Sequence, residues 1–353
     1  TSITIFACEI YLDISSKNLS GKKFENKRKV IARKSGLPYD FRSKIEVLKD
    51  LNDDGIEAYP IFHPSLLLKD TSYQDGLNSK DGKIFPLGGI SDIVTVQGNE
   101  SGFWVIYKTD KFGFHNPENI YSNVNIDIVV MGDSFVDGYG VKSEENIRSV
   151  LGKSGFKVVN LGMADVGPLT KLAQLKEYIE PLKPKIVLWF YYIEELSNLH
   201  MEMNSPILNK YLDEEKFSQK LRSRQHEIDE VLKNYLKLRW VKIKKEELKK
   251  SDKVEEVHTN WLIKLFRLSL LRNIRSLLNL EPTEATLFDK EMKVYKDILS
   301  KSSNIVSKWG GKMYVVYLPK YFRKYAFNKK HEYRENVLEI FEELNIPVID
   351  TFT

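Results

Sequence analysis

The sequence predicts an α/β domain built on a parallel sheet, and three observations carry that prediction. Short apolar, β-branched runs recur at residues 126–130, 157–161 and 186–192, and the stretches between them suit helices. Two more runs, 312–318 and 346–349, flank a helical segment at 334–344. Such alternation implies parallel pairing through right-handed crossovers, hence a three-layer α/β/α sandwich. Finally, Gly132-Asp133-Ser134 follows the first run directly, which places a serine hydroxyl at the carboxyl end of a strand, where open α/β sheets hold their ligands.

The chain has 353 residues, enough for a catalytic domain with a smaller domain or large insertion. With 42% hydrophobic and 12% aromatic residues it reads as globular rather than disordered. The lone cysteine, Cys8, excludes an internal disulfide and a zinc site built on several thiolates.

Taken in order, residues 1–12 are apolar but too short to span a bilayer. They read either as the end of a membrane or signal segment or as an edge element of the domain. Residues 15–35 are polar, basic and without clear periodicity, which suggests a linker or extended arm. The first 36 residues are therefore expected to form a membrane-proximal segment or linker. Apolar Ile45, Val47, Leu48 and Leu51 predict a helix over 43–52, ended by Gly55, and 56–61 reads as a short strand limited by Pro60. Residues 63–125 are rich in Gly, Asn and aromatics, so 37–125 is expected to form an N-terminal collar over the sheet. The sheet domain is expected in two parts, 126–196 and 303–353.

Between them lies a basic, helix-prone insertion, 197–302. From Lys210 to Arg275 it carries 18 Lys+Arg against 11 Asp+Glu, a local +7 in a chain whose net charge is +5. Residues 261–280 hold apolar positions at helical spacing among Lys264, Arg267, Arg272 and Arg275, which suits a membrane-surface helix or a helix packed on its own domain. The basic residues lack the compact motif of a nucleic-acid module. No His-x-x-x-His, dinucleotide fingerprint or phosphate loop occurs, so no metal or cofactor is expected.

Gly132-Asp133-Ser134, with Gly138 and Gly140 following, resembles the first signature block of the SGNH or GDSL hydrolases. Residues 158–164 resemble the second block and 186–192 the strand that delivers the third. Residues 37–44, 58–60 and 107–117 are similar to those of uncharacterised, often membrane-anchored bacterial members of that superfamily. The resemblance implies a flavodoxin-like sandwich, an extracytoplasmic and membrane-tethered location, and ester hydrolysis or acyl transfer on a bacterial surface glycan or lipid. It also implies roles. Ser134 would be the nucleophile, Asp133 its supporting neighbour, and the Ser134 and Gly162 backbone N–H groups the oxyanion donors.

Two departures temper that implication. Glu194 stands where the family has an asparagine donor, and a carboxylate only accepts hydrogen bonds. The family's Asp-x-x-His block, which bears the base, has no counterpart; Asp350 has Thr353 three positions on. Either the base lies on chain beyond Thr353 or the protein works without it, as a non-catalytic scaffold or binding component. Of the six histidines, His115 is the one expected to approach the site from the collar, while His63, His200, His226, His258 and His331 suit structural roles.

Overall fold

The structure is a computed structural model that describes residues 21–122, 125–251, 289–319 and 334–351. Two compact units emerge, one from Thr1–Phe41 with Leu238–Phe288, the other from Arg42–Lys237 with Asp289–Thr353. In the first, Gly21–Ser35 forms helix α1. This replaces the expected extended arm, because Lys, Glu and Arg favour helix even where no apolar stripe marks it. The segment 261–280 lies outside the described residues.

The second unit holds the sheet. Helix α2 (Lys44–Asp53) starts on a capping box, with the Ser43 hydroxyl accepting from the Glu46 N–H and the Glu46 carboxylate accepting from the Ser43 N–H at 2.6 Å. Strands β1 (Ala58–Pro60), β4 (Val94–Val96) and β5 (Ile106–Lys108) form a small mixed sheet, and β2 (Leu77–Ser79) pairs with β3 (Gly82–Ile84) as a hairpin. A short helix, α3 (Ser65–Leu68), lies between β1 and the hairpin.

Five parallel strands make the main sheet: β6 (Ile128–Met131), β7 (Val158–Asn160), β8 (Ile186–Tyr191), β9 (Lys312–Tyr317) and β10 (Val348–Asp350). They fall on the five expected runs, with β6 and β10 each ending one residue later than expected and the others lying within their runs. Their spatial order is β10-β9-β8-β6-β7, so the order reverses between β6 and β8. With right-handed crossovers, that reversal sends the flanking helices to opposite faces and opens a crevice at the carboxyl ends of β6 and β8. Val130, Val136, Val158, Phe190 and Val316 pack together under that edge.

The helices of this unit continue with α4 (Ser134–Asp137), α5 (Ile147–Lys153), α6 (Pro168–Gln174), α7 (Glu195–Glu202) and α8 (Pro206–Asp213). Then come α9 (Gln225–Ser251), which runs on beyond this unit, α10 (Asp289–Lys308) and α11 (Arg334–Glu343). The expected insertion is not one body. Residues 197–237 and 289–302 belong with the sheet, because Gln219 pairs with both backbone groups of Phe85 and Asp229 accepts from Ser91. No described helix is long and apolar enough to cross a membrane.

Candidate functional site

The site grows from the way β6 stops. A side chain at Gly132 would sit 2.5 Å from Val136 and 2.9 Å from Phe190, so only glycine lets the chain turn there. Asp133 is extended and caps α4, its carboxylate accepting from the Phe135 N–H at 3.0 Å. Gly138 closes the turn at φ 86°, with its N–H donating to the Ser134 carbonyl. Ser134 thus occupies the first position of a one-turn helix, half-buried at the carboxyl edge. Among the described residues no side chain hydrogen-bonds its hydroxyl. Its own N–H lies at a helix start, where no intrahelical partner exists.

Behind the turn, Asn160 at the end of β7 is fully buried and holds α4 in place. Its Nδ2 donates to the Val136 carbonyl at 2.7 Å. Its backbone exchanges two 2.8 Å hydrogen bonds with the Asn116 side chain, and Asn116 in turn donates to Asp110. Asp110 also gathers the Phe112 and Phe114 N–H groups and the Tyr121 hydroxyl. A buried polar chain therefore ties residues 110–121 to the serine turn.

Gly162 departs from its expected part. Its N–H donates to Asn160 Oδ1 at 2.7 Å, so the group assigned to an oxyanion is engaged within its own loop. Glycine is required there for packing, since a Cβ would lie 2.4 Å from the Asp137 nitrogen. The loop's far end is anchored by buried Glu202, which accepts from the N–H groups of Gly167, Leu169 and Thr170 at the start of α6. Burial pushes the Glu202 carboxyl up to about 7. Within the loop, Asp165 adopts φ 56° and pairs with Lys69 at 2.6 Å. Burial opposes its ionisation, but Lys69 and the nearby His63 outweigh that and hold its carboxyl below the ordinary value.

At the end of β8, Glu194 is exposed, and its carbonyl accepts from the Ser197 hydroxyl and the Asn198 N–H. The buried carboxylate is the next one, Glu195, which the sequence reading missed. It pairs with Lys171 of α6 and accepts from Trp189 Nε1 at 3.1 Å and the Tyr295 hydroxyl at 3.4 Å. Lys171 also donates to the Phe190 carbonyl at 2.7 Å. A signal existed in Lys171 itself, a lone charge inside the apolar stretch Leu169 to Leu175. Burial raises the Asp133 carboxyl above its ordinary value, against the pull of the Lys171 charge.

The histidines do not supply a base to Ser134 among the described residues. His115 is buried and stacked on Tyr107, its Nδ1 donating to the Asp137 carbonyl at 3.0 Å and its Nε2 accepting from the Ser143 hydroxyl at 2.9 Å. Desolvation lowers its pKa to about 4, so it is neutral. It therefore packs at the far end of α4 and braces the turn instead of reaching the hydroxyl. His63 hydrogen-bonds Ser65 and His200 pairs with Glu291, while His258 and His331 lie outside the described residues. Asp137 is wholly buried beside a small cavity lined by Tyr107, Thr109, Gly162 and Met163, and its Oδ2 has no hydrogen-bond partner among the described residues. Burial, with the charge of Asp133, pushes its carboxyl up to about 8. No group of three or more His, Cys, Asp or Glu among the described residues could hold a metal ion.

No protein-family model matches this chain, and no curated protein matches it. Among solved structures it is similar to a protein of the G-D-S-L family from Desulfitobacterium hafniense DCB-2, at 18% identity, covering 35% of this chain and 74% of that one. The TM-score of 0.20 makes this a slight likeness, and no conclusion about the site rests on it.

Proposed function

We propose that this chain is an SGNH-type serine hydrolase or acyltransferase centred on Ser134, acting on acyl groups of a bacterial surface glycan or lipid. The observation that carries this reading is a serine at the first turn beyond β6, beside the strand-order reversal, with its hydroxyl unengaged among the described residues. In the reaction the Ser134 oxygen attacks an ester carbonyl while a base takes its proton, and the alcohol leaves as the acyl-enzyme forms. The Ser134 N–H, without an intrahelical partner at the start of α4, would meet the developing oxyanion. With the Gly162 N–H engaged and Glu194 unable to donate, that oxyanion is short of donors. Each missing donor typically costs about 100- to 1000-fold in turnover, so slow hydrolysis is the expectation. A location outside the cytoplasm, tethered through the N-terminal segment, belongs to the same proposal; fractionation that recovered the protein free in the cytoplasm would count against it.

The engaged Gly162 N–H favours a second reading, a non-catalytic scaffold or binding component on the same fold. Hydrolysis of p-nitrophenyl acetate by the full-length protein and by its Ser134→Ala variant separates the two. Turnover that disappears with the serine hydroxyl supports the hydrolase, and turnover equal in both proteins supports the scaffold.

A further inference from the structure

Phe135 follows Ser134 directly and yet leaves 53% of its surface in water. Single exposed apolar residues are ordinary, but this ring is not isolated. It meets the ring of Tyr192 at a centroid distance of 5.0 Å and an interplanar angle of 56°. The strand register explains why they meet. Met131 of β6 is opposite Trp189 of β8, and Ser134 and Tyr192 each lie three residues further along. The crevice between these two strands is therefore walled by an aromatic pair at the level of the serine.

Two carboxylates flank the pair among the described residues. Glu194 is exposed, two residues beyond Tyr192, and its carboxylate makes no hydrogen bond or ion pair among the described residues. Asp133, on the other flank, keeps its carboxylate at the N-terminus of α4. Burial raises the Tyr192 phenol above its ordinary value, and the charges of Glu194 and Asp133 add to that.

We propose that Phe135 and Tyr192 form the wall that holds the substrate at Ser134, and that Glu194 beside them turns away anionic esters and admits uncharged ones. The proposal rests on the serine reading above and adds a substrate class to it. An uncharged acyl or aryl group gains by covering the exposed ring face, whereas a carboxylate or phosphate on the same group would lie within a Debye length of two like charges.

The test is binding to the full-length Ser134→Ala protein, which removes turnover, with phenyl acetate and 4-acetoxybenzoate as a matched pair differing by one carboxylate. Saturation-transfer NMR gives both affinities. The expected result is that phenyl acetate binds about tenfold more tightly than 4-acetoxybenzoate, and that Phe135→Ala weakens phenyl acetate by about tenfold. Tyr192→Ala, which removes the second ring of the wall, should weaken phenyl acetate as well, and Glu194→Gln should narrow the gap between the probes. Equal binding of the two probes, indifference to Phe135→Ala, or no binding of phenyl acetate overturns the proposal. The serine reading fails separately: binding with the expected pattern but no Ser134-dependent hydrolysis leaves the wall standing without the chemistry.

Discussion

Lys171→Met tests the buried charge pair beneath the serine, and its cost can be worked out beforehand. Lys171 and Glu195 are each only 2% exposed, so the variant leaves Glu195 with Trp189 and Tyr295 as neutral donors. An ionised carboxylate stranded there takes up a proton instead. The ordinary value for this carboxyl is 4.5, and burial already raises it in the intact pair against the pull of the Lys171 charge. Holding the proton at pH 7 therefore costs at most roughly 2.5 pH units at about 1.36 kcal/mol each, or about 3.4 kcal/mol. That lies inside the range of about 3–5 kcal/mol for breaking a buried pair. The Phe190 carbonyl, which loses its donor, adds about 1 kcal/mol that does not vary with pH. The sign follows from proton counts: the folded variant keeps a proton that the unfolded chain releases. The penalty is then largest at pH 7 and shrinks by about 1.4 kcal/mol per pH unit down to pH 5. Urea unfolding at pH 5, 6 and 7, followed by tryptophan fluorescence, reads this directly. The double variant Lys171→Met/Glu195→Gln should recover most of the loss at pH 7. A loss that is flat with pH, or a double variant as unstable as the single, would refute the reasoning.

Three other substitutions probe the frame of the site. Asn160→Ala leaves the Val136 carbonyl and the Gly162 N–H without their partners, and should cost about 2–6 kcal/mol in urea unfolding, since each buried orphan costs about 1–3. Gly162→Ala drives a methyl into the backbone of α4 and should cost about 1–3 kcal/mol; an unchanged unfolding midpoint would mean the loop does not pack on the turn. Asp137, pushed up to about 8 by burial, keeps its proton where the unfolded chain has lost it. It therefore makes stability fall as pH rises from about 4 to about 8. Asp137→Asn should flatten that slope in thermal melts across the same window, and identical slopes for the two proteins would contradict the buried, protonated carboxyl.

Much of the sheet was readable because β6 and β7 are buried along their length and appear as apolar, β-branched runs, and β8 and β9 as largely apolar ones. The helix at Ser43 was readable from its cap and its apolar spacing. Of the small strands, β1 was readable in the run 56–61, but the hairpin strands β2 and β3 were not, because three-residue strands such as Gly82–Ile84 are too short to show alternation. Helix Gly21–Ser35 was hidden for a different reason: nothing in its charged sequence separates a helical face from an extended arm. The serine turn was legible since Gly132, Asp133 and Gly138 act locally. The engagement of Gly162 was also written in the chain, as an Asn two residues ahead of a glycine whose N–H it can accept, an Asx turn. The inward carboxylate was not legible, because which of Glu194 and Glu195 is buried depends on where α7 starts and on a lysine 24 residues away.

The measurement that tests the central claim most directly is reaction of the full-length protein with a fluorophosphonate probe, with the modified residue mapped by mass spectrometry. Attack on phosphorus needs an accessible serine oxygen that can lose its proton, which is what the reading assigns to Ser134. The account predicts a single phosphonylated peptide, the one containing Ser134, that disappears in the Ser134→Ala variant. A folded protein that stays unlabelled at Ser134, or that labels equally well after the substitution, would contradict it.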